Sequence, residues 1–398
     1  MACNLAGRFS TLPSMRNDLL AADELPPLKL AGREVLPIVQ GGMGVGVSAH
    51  RLAGAVARAN GVGTISAVDL RRHHPDLMAR TTHIGTDASA KAAINAANLE
   101  ALDREIRAAR TIAEGRGLLA VNVMRAVAEY APCVQQACAS GIDAVVVGAG
   151  LPLDLPELCA PWPQVALVPI LSDARGVALV LKKWERKGRL PDAIVIEHPR
   201  HAGGHLGAAR IEELGDARFE FETVLPEVRA LLRALGAEDR VPLIPAGGIN
   251  TPERVRALIA LGAAAVQVGT AFAVTEEGDA HPEFKRVLAG ARPEDIVEFV
   301  SVAGLLARGG APPGSPTTCA SPRRCRPRYW PAATASRAAR WCSTAWRNAG
   351  CATASPSLAS SASIISSPPR CAATSSTACF SAALARCPSA IRFGRCGN

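Results

Sequence analysis

The sequence predicts an α/β fold of the (β/α)8 TIM-barrel type, with a helical insertion after the second strand and an irregular C-terminal tail. Three observations lead there. Between residues 30 and 300, short β-rich apolar runs alternate with longer amphipathic segments, the pattern of a parallel α/β fold. Several runs are continuous Val, Ile, Leu and Ala rather than alternating, as expected of strands covered on both faces. No GxGxxG fingerprint follows the first run, which argues against a doubly wound dinucleotide-binding sheet.

The eight expected strands are Val35–Gln40, Val62–Ala67, Leu118–Val123, Ala144–Gly148, Val165–Leu171, Ala193–Glu197, Pro242–Ala246 and Ala265–Gly269. Between the first two, Ser48 is placed to cap a helix running to Asn60, with Gly61 as its stop. Thr251-Pro252-Glu253 combines an N-cap, a proline at the first helical position and an acid in the first turn, so a helix starts there. Residues 68–117 are too long for an ordinary connection and hold Arg71-Arg72-His73-His74-Pro75-Asp76 and a helical stretch near Ala88–Glu114. An insertion of that length either packs over the mouth of a barrel or decorates its periphery, and both readings stay open here.

Charge divides sharply along the chain. The 398 residues carry a net +9, yet residues 301–398 contain 12 Arg, no Lys and no Asp or Glu, so the first 300 residues are net −3. The basic balance is therefore not a nucleic-acid signature. Cysteine divides the same way: Cys3, Cys133, Cys138 and Cys159 precede residue 300 and eight more follow Cys319 inclusive. Four scattered cysteines in a large domain read as reduced thiols of a cytoplasmic protein. The N-terminus lacks a basic stretch followed by an apolar run, so no signal peptide is expected, and no apolar run approaches the ~20 residues a membrane span needs. From about Leu306 the periodicity is lost, and Ala, Ser, Arg, Pro and Cys dominate, with Trp330, Trp341 and Trp346 among them. Disordered tails favour Glu, Lys and Gln and avoid Cys and Trp. This composition is what a GC-rich gene yields out of frame, so 1–305 is expected to be the barrel domain and 306–398 a frameshifted tail. An Arg-rich nucleic-acid tail or a zinc site is the alternative, although no CxxC pair is present. Sequencing the gene across codons 300–320 distinguishes them; an intact frame without an insertion or deletion rejects the frameshift.

Four glycine-rich turns fall at the C-terminal ends of expected strands, where barrel enzymes place their sites. Gln40-Gly41-Gly42-Met43-Gly44 follows the first strand, and glycine there lets the backbone approach a flat ligand. Pro245-Ala246-Gly247-Gly248-Ile249-Asn250 follows the seventh and Gln267-Val268-Gly269-Thr270-Ala271-Phe272 the eighth, the two positions from which barrels commonly bind phosphate. The alternative is a pair of structural turns. Glu197-His198-Pro199-Arg200-His201-Ala202-Gly203-Gly204-His205 follows the sixth strand and puts His205 at the mouth, where a neutral imidazole can take a proton. His198 and His201 lack a carboxylate pattern to complete a metal site, so no metal is expected. Asn122 closes an apolar strand, as a satisfied buried amide or a ligand contact, and Lys182 and Lys183 read as solvated.

Taken together, QGGMG, AVNVM, AGGHLG, AGGI and VQVGTAF, in that order over about residues 30–305, resemble the nitronate monooxygenase (2-nitropropane dioxygenase) family, whose relatives include the FMN-dependent enoyl-ACP reductases. The resemblance implies FMN as cofactor, its phosphate held by Gly247, Gly248, Gly269 and Thr270 with Gln267 nearby. It implies flavin contacts from Gly42, Met43 and Asn122, places Gly203 and Gly204 with the cofactor residues, and matches His205 to the catalytic histidine. The family's usual Glu-Gly is Glu197-His198 here, and the loop is one residue longer. The implied activity is oxidation of small alkyl nitronates or nitroalkanes with O2, without nucleic-acid or membrane partners. The alternatives are an FMN-dependent enoyl-ACP reductase using NAD(P)H and an inactive product of the shifted frame.

Overall fold

A computed structural model describes residues 25–82, 84–85, 87–205, 207–208, 210–300 and 306–310. In chain order the elements are β1 (Leu28–Leu30), β2 (Arg33–Val35), β3 (Ile38–Gln40), α1 (His50–Arg58), β4 (Val62–Ser66), α2 (Pro75–Thr81), α3 (Ala88–Ala113) and β5 (Leu118–Met124). Then come α4 (Tyr130–Ala139), β6 (Ala144–Gly148), α5 (Leu155–Leu158), β7 (Ala166–Leu171), α6 (Ala174–Glu185), β8 (Ile194–Glu197), β9 (Gly204–His205) and α7 (Phe221–Ala234). The last are β10 (Leu243–Ala246), α8 (Pro252–Ala260), β11 (Val266–Val268), α9 (Thr270–Ala273), α10 (Pro282–Ala289), β12 (Ile296–Val300) and β13 (Leu306–Gly310).

Eight parallel strands close into a barrel in the order β3-β4-β5-β6-β7-β8-β10-β11, and these are the eight runs expected from the sequence. Strand alternation divides the buried residues into two shells. One shell fills the barrel with small side chains such as Val62, Ala120, Ala144, Val146, Ala166, Val168, Val195 and Ala246. The antiparallel hairpin β1–β2 closes it from below with Leu28, Leu30 and Val35, so the expected first strand splits at Leu36-Pro37 and Val35 belongs to the plug. The other shell lies between strands and helices and includes Ile65, Val121, Val145, Leu167, Trp184, Ile196 and Phe272. Two glycines set how closely a helix approaches: a Cβ at Gly63 would stand 1.9 Å from the Ala53 carbonyl oxygen, and one at Gly117 (φ +56°) 2.3 Å from that of Ala57.

Two local expectations are corrected. The helix after the first strand is not capped by Ser48, whose hydroxyl instead accepts from the Met43 N–H at 2.9 Å. Its N-terminus is capped from 230 residues away. The Asp279 carboxylate accepts from the N–H groups of Ala49 (2.7 Å), Leu52 (3.1 Å) and Arg51 (3.1 Å), while Glu105 accepts from that of His50 (2.8 Å). That helix ends at Arg58, and the left-handed residue after it is Asn60 (φ 67°) rather than Gly61. Thr251 does cap α8, accepting from the Arg254 N–H at 3.2 Å.

The long segment after β4 resolves into two parts. Helix α3 packs against α1 and α4 in the outer ring, which makes it an ordinary barrel helix. Only the 3₁₀ turn Leu70–His73 and α2 are extra, and they sit at the mouth, where the His73 ring nitrogen Nε2 would lie 3.0 Å from a Cβ on Gly46. Asp69, Arg71 and Arg72 pair there, with Arg71 also donating to the Thr81 hydroxyl at 2.9 Å. Ordered structure continues past residue 305. Strand β13 pairs antiparallel with β12 and with β9. The rest of the expected tail lies outside the described residues. Among the described residues no helix is long and apolar enough to cross a membrane.

Candidate active site

The C-terminal ends of the barrel strands gather most of the residues singled out in the sequence. The interior parity that sends Val62, Ala120, Val195 and Ala246 into the barrel also sends Thr64, Asn122, Glu197 and Gln267 inward at its upper rim. Ala246 stands in register with Glu197 on one side and Gln267 on the other. The rim is therefore polar above an apolar barrel.

The first glycine turn is tied into this rim at several points. Gln40 is fully buried; its amide oxygen accepts from the Thr64 N–H at 2.8 Å and its amide nitrogen donates to the Thr64 carbonyl at 3.1 Å. The side chain thus extends the β3–β4 ladder where the backbone has already turned away. The Gly41 N–H donates to the Val268 carbonyl at 3.0 Å, which joins the turn to β11. At Gly42 there is no room for a side chain: a Cβ would stand 2.3 Å from Asn122 Cβ and 3.3 Å from Thr64 Cγ2. Met43 Sδ lies 3.6 Å from the Cβ position of Gly269, and the Met43 carbonyl accepts from the Ser48 N–H at 3.0 Å. Gly42, Met43, Asn122, Gln267 and Gly269 are accordingly neighbours, as the sequence reading requires of one site. Gln40 is a rim residue that the motif reading leaves out of the site; a polar residue closing the apolar run Val35–Gln40 is the sequence signal that finds it.

The second cluster is the turn after β10. Gly247 (φ +101°) and Gly248 (φ +70°) are left-handed, a conformation that glycine adopts without strain. The His201 ring packs on them, with Cγ 3.0 Å from the Gly248 Cβ position. His198 is buried behind it, ring centroids 4.7 Å apart, and accepts from the Arg200 N–H at 3.3 Å while its Nε2 faces Glu220 at 3.5 Å. Partial burial, with His198 and the guanidinium groups of Arg308 and Arg200 nearby, holds His201 below the usual histidine range. Thr270 is exposed at the start of α9. Burial pushes the Glu197 carboxyl up to about 7. This rim acid was quoted in its motif but not placed among the site residues, and the inward parity of Ala193 and Val195 is the signal that finds it.

His205 is positioned by its backbone. It lies in β9 opposite Ala307 of β13, with Gly204 opposite Arg308, so this end of the loop is a paired strand rather than a free Gly-Gly hinge. Beneath the loop, Ala202, Ala208, Leu214, Phe219 and Leu306 form a small apolar cluster. Gly207 passes so close to β7 that a Cβ would fall 1.9 Å from the Ser172 hydroxyl oxygen. Gly203 is exposed, with open space at its Cβ position. Lys182 and Lys183 are exposed on α6, away from the rim. No group of three or more potential metal ligands occurs among the described residues.

Comparison with known proteins places this architecture. A nitronate monooxygenase from Pseudomonas aeruginosa is 37% identical over 118 residues, 30% of this chain and 31% of the relative. One from Paraburkholderia phytofirmans is 34% identical over 139 residues, 33% of this chain and 36% of the relative. The matched stretches thus span about a third of the length of those relatives. A solved structure of FabK from Thermotoga maritima superposes with a TM-score of 0.50 at 23% identity, covering 70% of this chain and 71% of that one, a likeness of fold. The family model described as Nitronate monooxygenase matches residues 29–311, from the barrel plug through the last described strand, and the chain belongs to that family.

Proposed function

We propose that this chain binds FMN in the barrel mouth and oxidises small alkyl nitronates with O2. The observation that carries the reading is the convergence of the family match over residues 29–311 with a glycine-lined rim at the strand ends. The residues fit the cofactor. Gly42 keeps the first turn low against Asn122, and Thr64 presents a buried hydroxyl with no protein partner beside it. Gly247 and Gly248 turn left-handed where backbone N–H groups can meet a phosphate, and Gly269 and the exposed Thr270 stand on the adjacent strand end.

FMN, when bound, would supply the redox chemistry between nitronate and O2. The chain supplies position and electrostatics. Gly247, Gly248, Gly269 and Thr270 would hold the phosphate with Gln267 close by, Gly42, Met43 and Asn122 would contact the ring, and Gly203 and Gly204 would belong to the same cofactor set. His205 orients the nitronate anion, or takes the α-proton when a neutral nitroalkane is the substrate. Its backbone is paired in register with Ala307. The test is O2 consumption by the full chain loaded with FMN, using propyl-2-nitronate against nitroalkane. His205→Asn is expected to abolish turnover of the neutral nitroalkane while leaving FMN binding intact. Unchanged nitroalkane turnover would remove His205 from the mechanism, and no turnover of either substrate by the parent would reject the activity.

A further inference from the structure

At the opposite end of the barrel, where the strands begin, Cys138 and Cys159 stand with their sulfurs 3.7 Å apart. Cys138 closes α4, and Cys159 follows α5 just before β7; both are buried. Cys159 also lines a cavity of about 360 Å3, with Trp162, Pro163, Leu167, Lys187 and Arg189 among its walls. A third buried cysteine, Cys133, lies five residues earlier on α4, and burial pushes its thiol up to about 12.

We propose that Cys138 and Cys159 are a peroxide-oxidisable dithiol, a modification site separate from the barrel mouth. The cavity is large enough to bring hydrogen peroxide to Cys159, and Arg189, which pairs with Asp192, stands at its wall. The sulfurs are in contact at 3.7 Å, so forming a bond of about 2.05 Å requires them to close by about 1.7 Å. Sharing a proton between the sulfurs holds Cys138 below the usual thiol range and pushes Cys159 above it, so Cys138 is the acceptor for the proton that Cys159 gives up on attack. In the first step the sulfur of Cys159 attacks peroxide; the O–O bond breaks, the thiol becomes a sulfenic acid and one water leaves. In the second, the Cys138 sulfur attacks the Cys159 sulfur, the S–O bond breaks, and the hydroxyl departs as water with the remaining thiol proton. Two thiols lose two electrons and one peroxide becomes two waters. The new bond would tie α4 to the segment after α5 and stiffen the β5–β7 side of the barrel without touching the rim.

The experiment titrates the folded full-length chain with hydrogen peroxide, quenches in acid, unfolds, alkylates and maps the cysteine peptides. The expected result is a Cys138–Cys159 linked peptide at peroxide concentrations that leave Cys133 alkylatable, with free thiol at the pair lost at least about tenfold faster than at Cys133. The melting temperature should rise with the link and return after thiol reduction, and Cys159→Ser should show neither change. Cys138→Ser should instead accumulate a dimedone-reactive sulfenic acid at Cys159. If Cys138 and Cys159 are as unreactive as Cys133, or if either links mainly to another cysteine of the chain, the proposal is overturned.

Discussion

Placing an alanine at Gly42 probes the site more sharply than removing any side chain. The new Cβ would lie 2.3 Å from Asn122 Cβ and 2.9 Å from Asn122 Cγ, whereas ordinary contact begins at 3.4 Å, so the turn or the strand must give by about 1 Å. Neither neighbour yields easily: Asn122 is on β5, paired on both sides, and the turn is anchored through Gln40, Gly41 and Met43. Overpacking of this kind costs about 1–3 kcal/mol. If FMN binds as proposed, with this turn against its ring, at least about 1.4 kcal/mol of binding energy should go with it, a tenfold weaker Kd for FMN. Fluorescence quenching of FMN by the apoprotein measures this directly. The clash is with Asn122 Cβ, so Asn122→Ala should not relieve it and Asn122→Gly should, with G42A/N122G binding more tightly than G42A. Wild-type affinity in G42A, or no difference between the two double variants, would refute the reasoning.

Three further outcomes follow from the same geometry. Asp279→Ala strips an acceptor from three N–H groups at the start of α1 and should cost about 2 kcal/mol, read as a melting point roughly 4 °C lower; an unchanged value would place the helix cap elsewhere. Glu197, pushed up to about 7, carries a proton that it lacks in the unfolded chain between about pH 4.5 and 7, so apoprotein stability should fall as pH rises through that window. Glu197→Gln should match the parent near pH 4.5 and be up to about 2 kcal/mol more stable at pH 8, and a constant difference across pH would contradict this. Glu105, fully buried, binds His50 Nδ1 at 2.7 Å and His74 Nε2 at 2.9 Å, and its hydrogen bond raises His50. The stability this pairing adds is present below pH 6.5 and lost as pH rises through the raised value, so the penalty for Glu105→Gln, about 3 kcal/mol, should be largest in chemical denaturation below pH 6.5 and shrink above.

The barrel was readable because a parallel strand buried on both faces leaves a continuous apolar run, and each run matched a strand of the closed sheet. The glycine turns were readable for a similar local reason, since positive φ or close approach leaves few other choices at Gly42, Gly247 and Gly248. What failed was long-range. Ser48 looks like a helix cap in its own neighbourhood, but Asp279 arrives from the far side of the chain and displaces it. The β9–β13 pairing joins a two-residue strand at Gly204–His205 to Leu306–Gly310, too short and too distant to leave a periodic signal. Glu197 was visible in its motif, yet only the inward parity of its strand makes it a rim residue. The long segment after β4 misled by length alone, because a full 26-residue ring helix lies within it.

The central claim is that this barrel is a flavoprotein that reacts with nitronates, and the visible spectrum of the full chain loaded with FMN, followed anaerobically, tests it most directly. Bleaching of the flavin band on adding an alkyl nitronate, with no fast bleaching by NAD(P)H, is the predicted result. Fast bleaching by NAD(P)H and none by nitronate would contradict it and favour a reductase, and a chain that retains no flavin would contradict the cofactor assignment itself.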